Sequence, residues 1–593
     1  MQAPIMHGNS SVGAHTRRPG IELVPDPDGE RLIAIDAESG RQVRMSAFAG
    51  RLLGMLDGRR SSAELAGELG LQDPSLVDQA ITRFEQLALV EEHRPLGSDS
   101  VGKVASELGG KRDNWFRLAQ RAFATRRGDK APPPTGRRWR YRRPATLEVR
   151  LVDPRRLLQR LRPLSDAVAT RTGQAALWTL TVAGVLGTVS TAGQLGGDLS
   201  RPAPWWVAIG GLAAVLAATA LHELAHGLVL TRAGGRVRRM GIMLLYGSPA
   251  LFCDVSDAWR LPRRGRATVA FAGARVHGAV AAALILVAAA VPAGSAHQLL
   301  AVAAAGNAVM AVVNLYPFVK FDGYIALVGW LDRPHLRAHS MRAAQDLLLT
   351  RLVFGAREPI PSSQPGGRRQ LGAGWILFGI ASALSAPVLV ALAFRSYEPL
   401  LLTALGPVGA VLTVCLLVLA VAQPTAGLVR AANHAAAAGA PPWRRIAGAA
   451  VLSFVVGALL AVPKVQLSVP SVYQRLGSGV VLVVPDGATV RPDTEVTLQR
   501  AGVVLHPVIS KGEVCGKSRT ELVDSSAGSP VVRPVGAPVR TVHRRVVPLC
   551  AATGGTDLAP RDGMGLASVS GGSVPIGTWL KRTFVQPAIT RLR

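Results

Sequence analysis

The sequence predicts a mainly α-helical polytopic membrane protein of about seven spans, with a small N-terminal winged-helix-like domain and a C-terminal β-rich extracytoplasmic domain. Three observations predict it. Nearly half of the 593 residues are hydrophobic, yet only 5% are aromatic, and the mean hydropathy is positive at +0.26. The apolar residues gather into runs close to the ~20 needed to cross a bilayer. The formal charge of +29 falls in alternate connections between those runs, as cytoplasmic arginines do. A chain this long exceeds one compact core, so several domains are expected.

The apolar runs lie at about 175–195, 204–231, 267–292, 297–318, 374–395, 399–422 and 446–463. Intervals 232–266 and 319–373 are arginine-rich, and 423–445 carries Arg430, Arg444 and Arg445. The opposite connections, 196–203, 293–296 and 396–398, are short and hold few cations. All the basic intervals share the side of the N-terminus, which places that end in the cytoplasm and the C-terminal domain outside, in the plasma membrane. The distribution accounts for the charge without nucleic acid as a partner; the lipid bilayer takes that place. No cleavable signal peptide is expected, because "MQAPIMHGNSSVGAHTRRPG" lacks an apolar centre. None of the cysteines (Cys253, Cys415, Cys515, Cys550) forms a CxxC pair, which argues against a cysteine zinc finger.

Residues 20–95 read as an independent domain. "ERLIAID" and "RQVRM" are strands joined by "AESG". "SAFAGRLLGMLDG" and "SSAELAGELG" are short helices with serine at the start and glycine at the end. "PSLVDQAITRFEQLALVEE" places Leu76, Ile81, Phe84 and Leu87 at helical spacing. Residues 96–173 form a basic linker: "KAPPPTGRRWRYRRP" is extended and solvated, "TLEVRLVDP" alternates like a strand, and "RRLLQRLRPL" either docks on anionic lipid or simply flanks the first span. Residues 174–463 are the membrane domain, and 464–593, with "GSGVVLVVPDGATVRPDTEVTL", read as strands punctuated by glycine turns. Cys515 and Cys550 are disulfide candidates there, with two free thiols as the alternative.

The chemistry lies in "ALHELAHGLV", residues 220–229. His222 and His226 are four apart and share a helix face, so both reach one metal ion, with Glu223 beside them as a general base. Ionisable groups inside a span are costly and usually functional. Hydrolysis by Zn²⁺ needs three protein ligands and an open position. "NLYPFVKFDGY" offers the third: Asp322 is the sole acidic residue between Asp257 and Asp332, and Pro317 and Gly323 loosen the helix around it. The segment "MLLYGSPALFCDVSDAW", 243–259, alternates poorly around a Gly-Ser-Pro turn and reads as a membrane-dipping hairpin. Cys253 reads as buried packing rather than a ligand.

HELAH in one span and Asn314, Pro317, Asp322 and Gly323 in a later one resemble the site-2 protease family of intramembrane zinc metallopeptidases, whose hallmarks are HExxH and NxxPxxxxDG. The resemblance spans roughly residues 145–425. It implies Zn²⁺ on His222, His226 and Asp322, water activation by Glu223, and a substrate site that includes Asn314, Pro317, Gly323 and Asp254. Asp254, Asp257 and Trp259 match the "D…DAW" of peptide-maturation members. Relatives often carry AGP followed by asparagine in the next span; here "AGARVHG" puts Ala274 and His277 there, and His277 reads as a packing residue. Residues 20–95 resemble PqqD-like domains, which bind the leader of a precursor peptide as an added edge strand. The C-terminal strands resemble lipoyl-like modules of membrane-fusion adaptors. Together these imply leader removal from a ribosomally made, post-translationally modified peptide, of the daptide type, coupled to export and to other maturation proteins. The alternatives are a regulatory protease acting on a membrane-bound signalling protein, and a non-catalytic peptide export or immunity subunit.

Overall fold

A computed structural model describes residues 15–25, 31–36, 42–58, 60–92, 139–142, 146–245, 248–356, 372–477, 479–484, 490–533, 536–551 and 563–592. The chain forms two compact units, residues 1–165 with 226–269, and 166–225 with 270–593. The boundary falls inside one continuous helix, Trp205–Arg232, which carries HELAH.

In the first unit the N-terminal meander has one strand more than the sequence suggests. Ile21–Pro25, Arg31–Asp36 and Gln42–Ser46 form an antiparallel meander in that order. "IELVP" escapes a strand reading because it is short and runs straight into proline and aspartate. Helices Ala47–Met55, Ser62–Glu68 and Ser75–Gln86 follow, and His15–Arg17 pairs with Val90–Glu92 to bring the domain's ends together. Ser46 caps the first helix, and Ser61 with Glu64 makes a reciprocal capping box on the second. The core joins Ala34 and Met45 of the sheet to Leu52, Leu53, Leu65, Val77, Ile81 and Phe84. Leu76 corrects the sequence reading: it is exposed, and Val77 takes its core place because 77, 81 and 84 follow the i, i+4, i+7 stripe. The turn "AESG" and residues 93–138 lie outside the described residues.

The same unit contains a four-stranded antiparallel sheet in the order Ser248–Cys253, Met240–Leu245, Thr146–Val152, Trp139–Arg142. "TLEVRLV" is thus a strand as expected, and "WRYR", expected as solvated linker, pairs with it. A charged network joins this region to the N-terminal sheet. Asp257, 3% exposed, accepts from the Arg236 backbone N–H at 2.8 Å and pairs with Arg260 at 2.8 Å. Arg260 also pairs with Glu22 of the meander, and Arg238 donates to the Asp36 carbonyl at 3.3 Å.

The second unit is mostly helical. Among the described residues five helices are long and apolar enough to cross a membrane: Trp205–Arg232, Arg263–Ala289, Ser295–Leu315, Gly406–Ala437 and Pro442–Ala461. The first expected span is a bent pair, Arg171–Ser190 and Ala192–Leu199, turned by 74°. The fifth falls on Ala373–Ala404, of which Ala373–Leu389 is the apolar part. The break expected at 396–398 comes later, at Leu405, because the polar "RSYEPL" continues as helix and Gly406, with φ of +52°, makes the turn. At the bend, Asp198 is buried against His297 at 2.5 Å and pairs with Arg201, while Gln298 donates to the Asp198 carbonyl at 3.0 Å.

The C-terminal domain is a β-barrel. Strands Gly479–Val483, Lys464–Leu476, Met564–Pro575, Glu495–Gln499, Val508–Val514 and Thr541–Ala551 pair antiparallel in that order, and the last returns to the first. Closure removes the exposed edges. Arg519–Asp524 adds outside the ring on Thr541–Ala551. Alternate residues fill the interior: Val480 and Leu482, Val496 and Leu498, Val547 and Leu549, Ala567 and Val569, with Tyr473. Cys515 and Cys550 are bonded, their Cα atoms 5.8 Å apart. The barrel is held to the bend after Leu199: Val504 and Leu505 N–H donate to the Leu199 carbonyl, and Val531–Val532 pairs parallel with Ala203–Pro204.

Candidate metal centre

Helix geometry sets the first pair of donors. His222 and His226 lie one turn apart on the continuous helix Trp205–Arg232, and both are buried. Asp322 opens the helix Asp322–Leu331. Its Oδ2 lies 3.1 Å from His222 Nε2. One ligand atom from each of His222, His226 and Asp322 falls within 4.8 Å of the others, and among the described residues no other group of histidine, cysteine or acidic side chains does so. Glu223 lies beside this group, with Oε1 3.9 Å from His222 Nε2.

Each of the three side chains is held by its surroundings. His226 Nδ1 lies 2.7 Å from the Val269 carbonyl oxygen. A carbonyl only accepts, so Nδ1 carries the hydrogen and Nε2 is left with its lone pair, the tautomer a metal ligand requires. His222 is seated by a missing side chain. A Cβ on Gly273 would stand 2.4–2.5 Å from three atoms of the His222 ring, so glycine there makes the room. Asp322 is presented by a tight reversal. Proline at 317 ends Ser295–Leu315, and Gly323 lies so close to the Leu315 carbonyl that a Cβ would approach its oxygen to 2.1 Å.

Glycine at 323 thus lets two backbones meet. Asp254 has local work too: its Oδ1 accepts from the Ser256 N–H at 3.1 Å and from Ser256 Oγ at 2.6 Å, just before the turn Ser256–Arg260. Asn314 sits half-buried in the last turn of Ser295–Leu315, and Pro317 in the reversal that follows. Cys253 is partly buried, its sulfur 3.3 Å from where a Cβ on Gly227 would stand.

Two imidazoles and a carboxylate suit zinc, and donors sharing one zinc at about 2.0–2.2 Å stand roughly 3.3 Å apart, close to the His222–Asp322 separation. The donor types present suit the ion, and the His222–Asp322 pair stands at its spacing.

Sequence reasoning missed Gly273, Asn307 and the Val269 carbonyl. Gly273 had a signal, the small-residue run "AGA" before His277. Asn307 had none beyond being an amide in an apolar run. Its Oδ1 lies 2.8 Å from His277 Nδ1, and both residues are fully buried. The His277 ring lies 5.2 Å from that of His222, centroid to centroid.

Comparison of the chain with family models, with characterised proteins and with solved structures finds no match in any of the three.

Proposed function

We propose that this chain is an intramembrane zinc endopeptidase of the site-2 protease type. The observation that carries the reading is the convergence of His222 and His226 of one apolar helix with Asp322 at the start of another, with Glu223 alongside. A helix-packing role needs neither three donors at ligand spacing nor a carboxylate next to them.

Zinc bound there would polarise the scissile carbonyl and make a water nucleophilic near neutral pH. The rest is done by the chain. His226 is oriented by Val269, and His222 by its seat on Gly273. Glu223, a fifth exposed at its side chain, takes the proton from the attacking water and returns it to the leaving amine. A helical substrate keeps its peptide groups bonded internally and must unwind before attack. The outer strand Ser248–Cys253 supplies a sheet edge for an unwound segment.

The substrate we infer is a ribosomally made precursor peptide. The support is the N-terminal domain, a meander and three helices resembling PqqD-like leader-binding modules, tied through Asp257 and Arg260 to the segment that follows the HELAH helix. In this reading the apolar helices lie in the plasma membrane, the N-terminal domain in the cytoplasm and the barrel outside. The Cys515–Cys550 bond suits an oxidising compartment.

The test is co-expression with a short precursor peptide encoded nearby. Leader removal is expected with the wild-type chain and not with Glu223→Ala. Undiminished removal by Glu223→Ala overturns the peptidase reading. Cleavage without leader binding to residues 20–95 would favour a regulatory protease instead.

A further inference from the structure

His277 has one more property than packing requires. It is fully buried on Arg263–Ala289, one turn after the Gly273 that seats His222. Asn307 Nδ2 donates to the Ala303 carbonyl at 2.8 Å, which fixes the orientation of that amide. Its Oδ1 is then an acceptor, so the hydrogen between Asn307 and His277 sits on His277 Nδ1. In the neutral ring Nε2 holds a lone pair. That atom is buried and has no hydrogen-bond partner among the described residues. A buried acceptor left unpaired is destabilising, so a partner from outside the chain would stabilise it.

Two outside donors are possible at a hydrolytic centre, the attacking water and the substrate backbone. Glu223 already serves the water. An unwound substrate brings peptide N–H groups that have lost their helical acceptors and need new ones in an apolar setting. The His277 ring lies 5.2 Å from that of His222, whose Nε2 meets Asp322.

We propose that His277 is a substrate-binding residue whose Nε2, set by Asn307 as an acceptor, receives a backbone N–H of the peptide at the metal centre. This rests on the peptidase reading, and it gives the departure at "AGARVHG" a task that the metal ligands leave open.

The test is binding, using a peptidic hydroxamate with two backbone amides, its N-methylated analogues, and acetohydroxamate, which has no such amides. Wild-type protein should bind the peptidic probe about tenfold more tightly than His277→Phe. One N-methylated analogue should bind both alike. Acetohydroxamate affinity and zinc content should be unchanged, which also shows that the variant's site is folded. If His277→Phe does not fold, Asn307→Leu, which frees the tautomer, should weaken the peptidic probe selectively. Equal affinity of wild type and variant for the peptidic probe overturns the proposal, as does loss of zinc from His277→Phe, which would make it a ligand. Failure of the peptidase reading looks different: wild-type protein holds no zinc and binds neither hydroxamate.

Discussion

The Asp322 carboxylate meets His222 Nε2 at 3.1 Å although two long helices, Arg263–Ala289 and Ser295–Leu315, separate them in the chain. This contact turns a histidine pair on one helix into a three-donor site, and most of what can be tested follows from it.

Removing a ligand and removing the base should have opposite signatures. His222→Ala, His226→Ala and Asp322→Ala should each lower zinc affinity by more than the roughly 10–100-fold typical of outer-shell changes. Glu223→Gln should keep full zinc occupancy while cleavage falls by on the order of 10²–10⁴-fold. Elemental analysis of the purified variants, set beside cleavage, separates the two.

Gly273→Ala adds one methyl group where the His222 ring stands 2.4–2.5 Å away. Zinc affinity should fall about 10–100-fold as the ring is displaced. Competition with a chromophoric chelator measures this, and an unchanged affinity would show that the ring yields freely.

The link between the N-terminal sheet and the segment after HELAH should be unequal at its two ends. Asp257 is buried and holds both the Arg236 N–H and Arg260, so Asp257→Ala removes two charge-assisted bonds and should cost about 1.5–3 kcal/mol, while Arg260 keeps its pairing with Glu22. Glu22 is 45% exposed at its side chain, so Glu22→Ala should cost under about 1 kcal/mol. Thermal melts in detergent, with limited proteolysis of residues 20–95, read both.

Asp524 makes the barrel pH-sensitive in one direction. Burial by itself would raise its carboxyl pKa, but the N–H and hydroxyl of Ser526 and the Arg533 guanidinium outweigh burial and hold it below the ordinary value. A depressed folded pKa stabilises above the unfolded pKa of about 3.9 and loses that contribution as pH falls through the lower, folded value. Acid titration of barrel stability should therefore lose part of its slope below about pH 4 in Asp524→Asn, which should also melt earlier at pH 7.

The Cys515–Cys550 bond closes a loop with a sequence separation of 35. On loop-closure entropy, Cys515→Ser with Cys550→Ser should cost roughly 3–4 kcal/mol. Calorimetry of the two forms tests it, and non-reducing mass spectrometry of membrane-extracted protein shows whether the bond forms in the cell.

Much of this was legible in the sequence because it is periodic or local. Apolar runs located the long helices, since a helix with apolar residues all round needs no partner to be recognised. Serine at the start of "SSAELAGELG" announced a helix, because a cap is completed within one turn. Alternation revealed "TLEVRLV", and glycine turns marked off the strands of the C-terminal domain. Leu76 misled because it and Val77 are adjacent apolar residues, and the one that faces the sheet depends on a helix phase that single spacings leave open. The late break at Leu405 escaped because helical continuation through "RSYEPL" carries no local signal.

By itself, the sequence determined which side chains are chemically able to act: a histidine pair one turn apart, a carboxylate isolated in an apolar region, and a glutamate next to the pair. Only the tertiary structure decided which of them meet, that Gly273 is the seat of a ring and Gly323 the meeting point of two backbones, and that His277 shares its hydrogen with Asn307. The reason is physical. Helix phase and capping act over a few residues and are written in local spacing, whereas the separation of groups on different helices depends on how those helices cross, which the packing of all their side chains sets together.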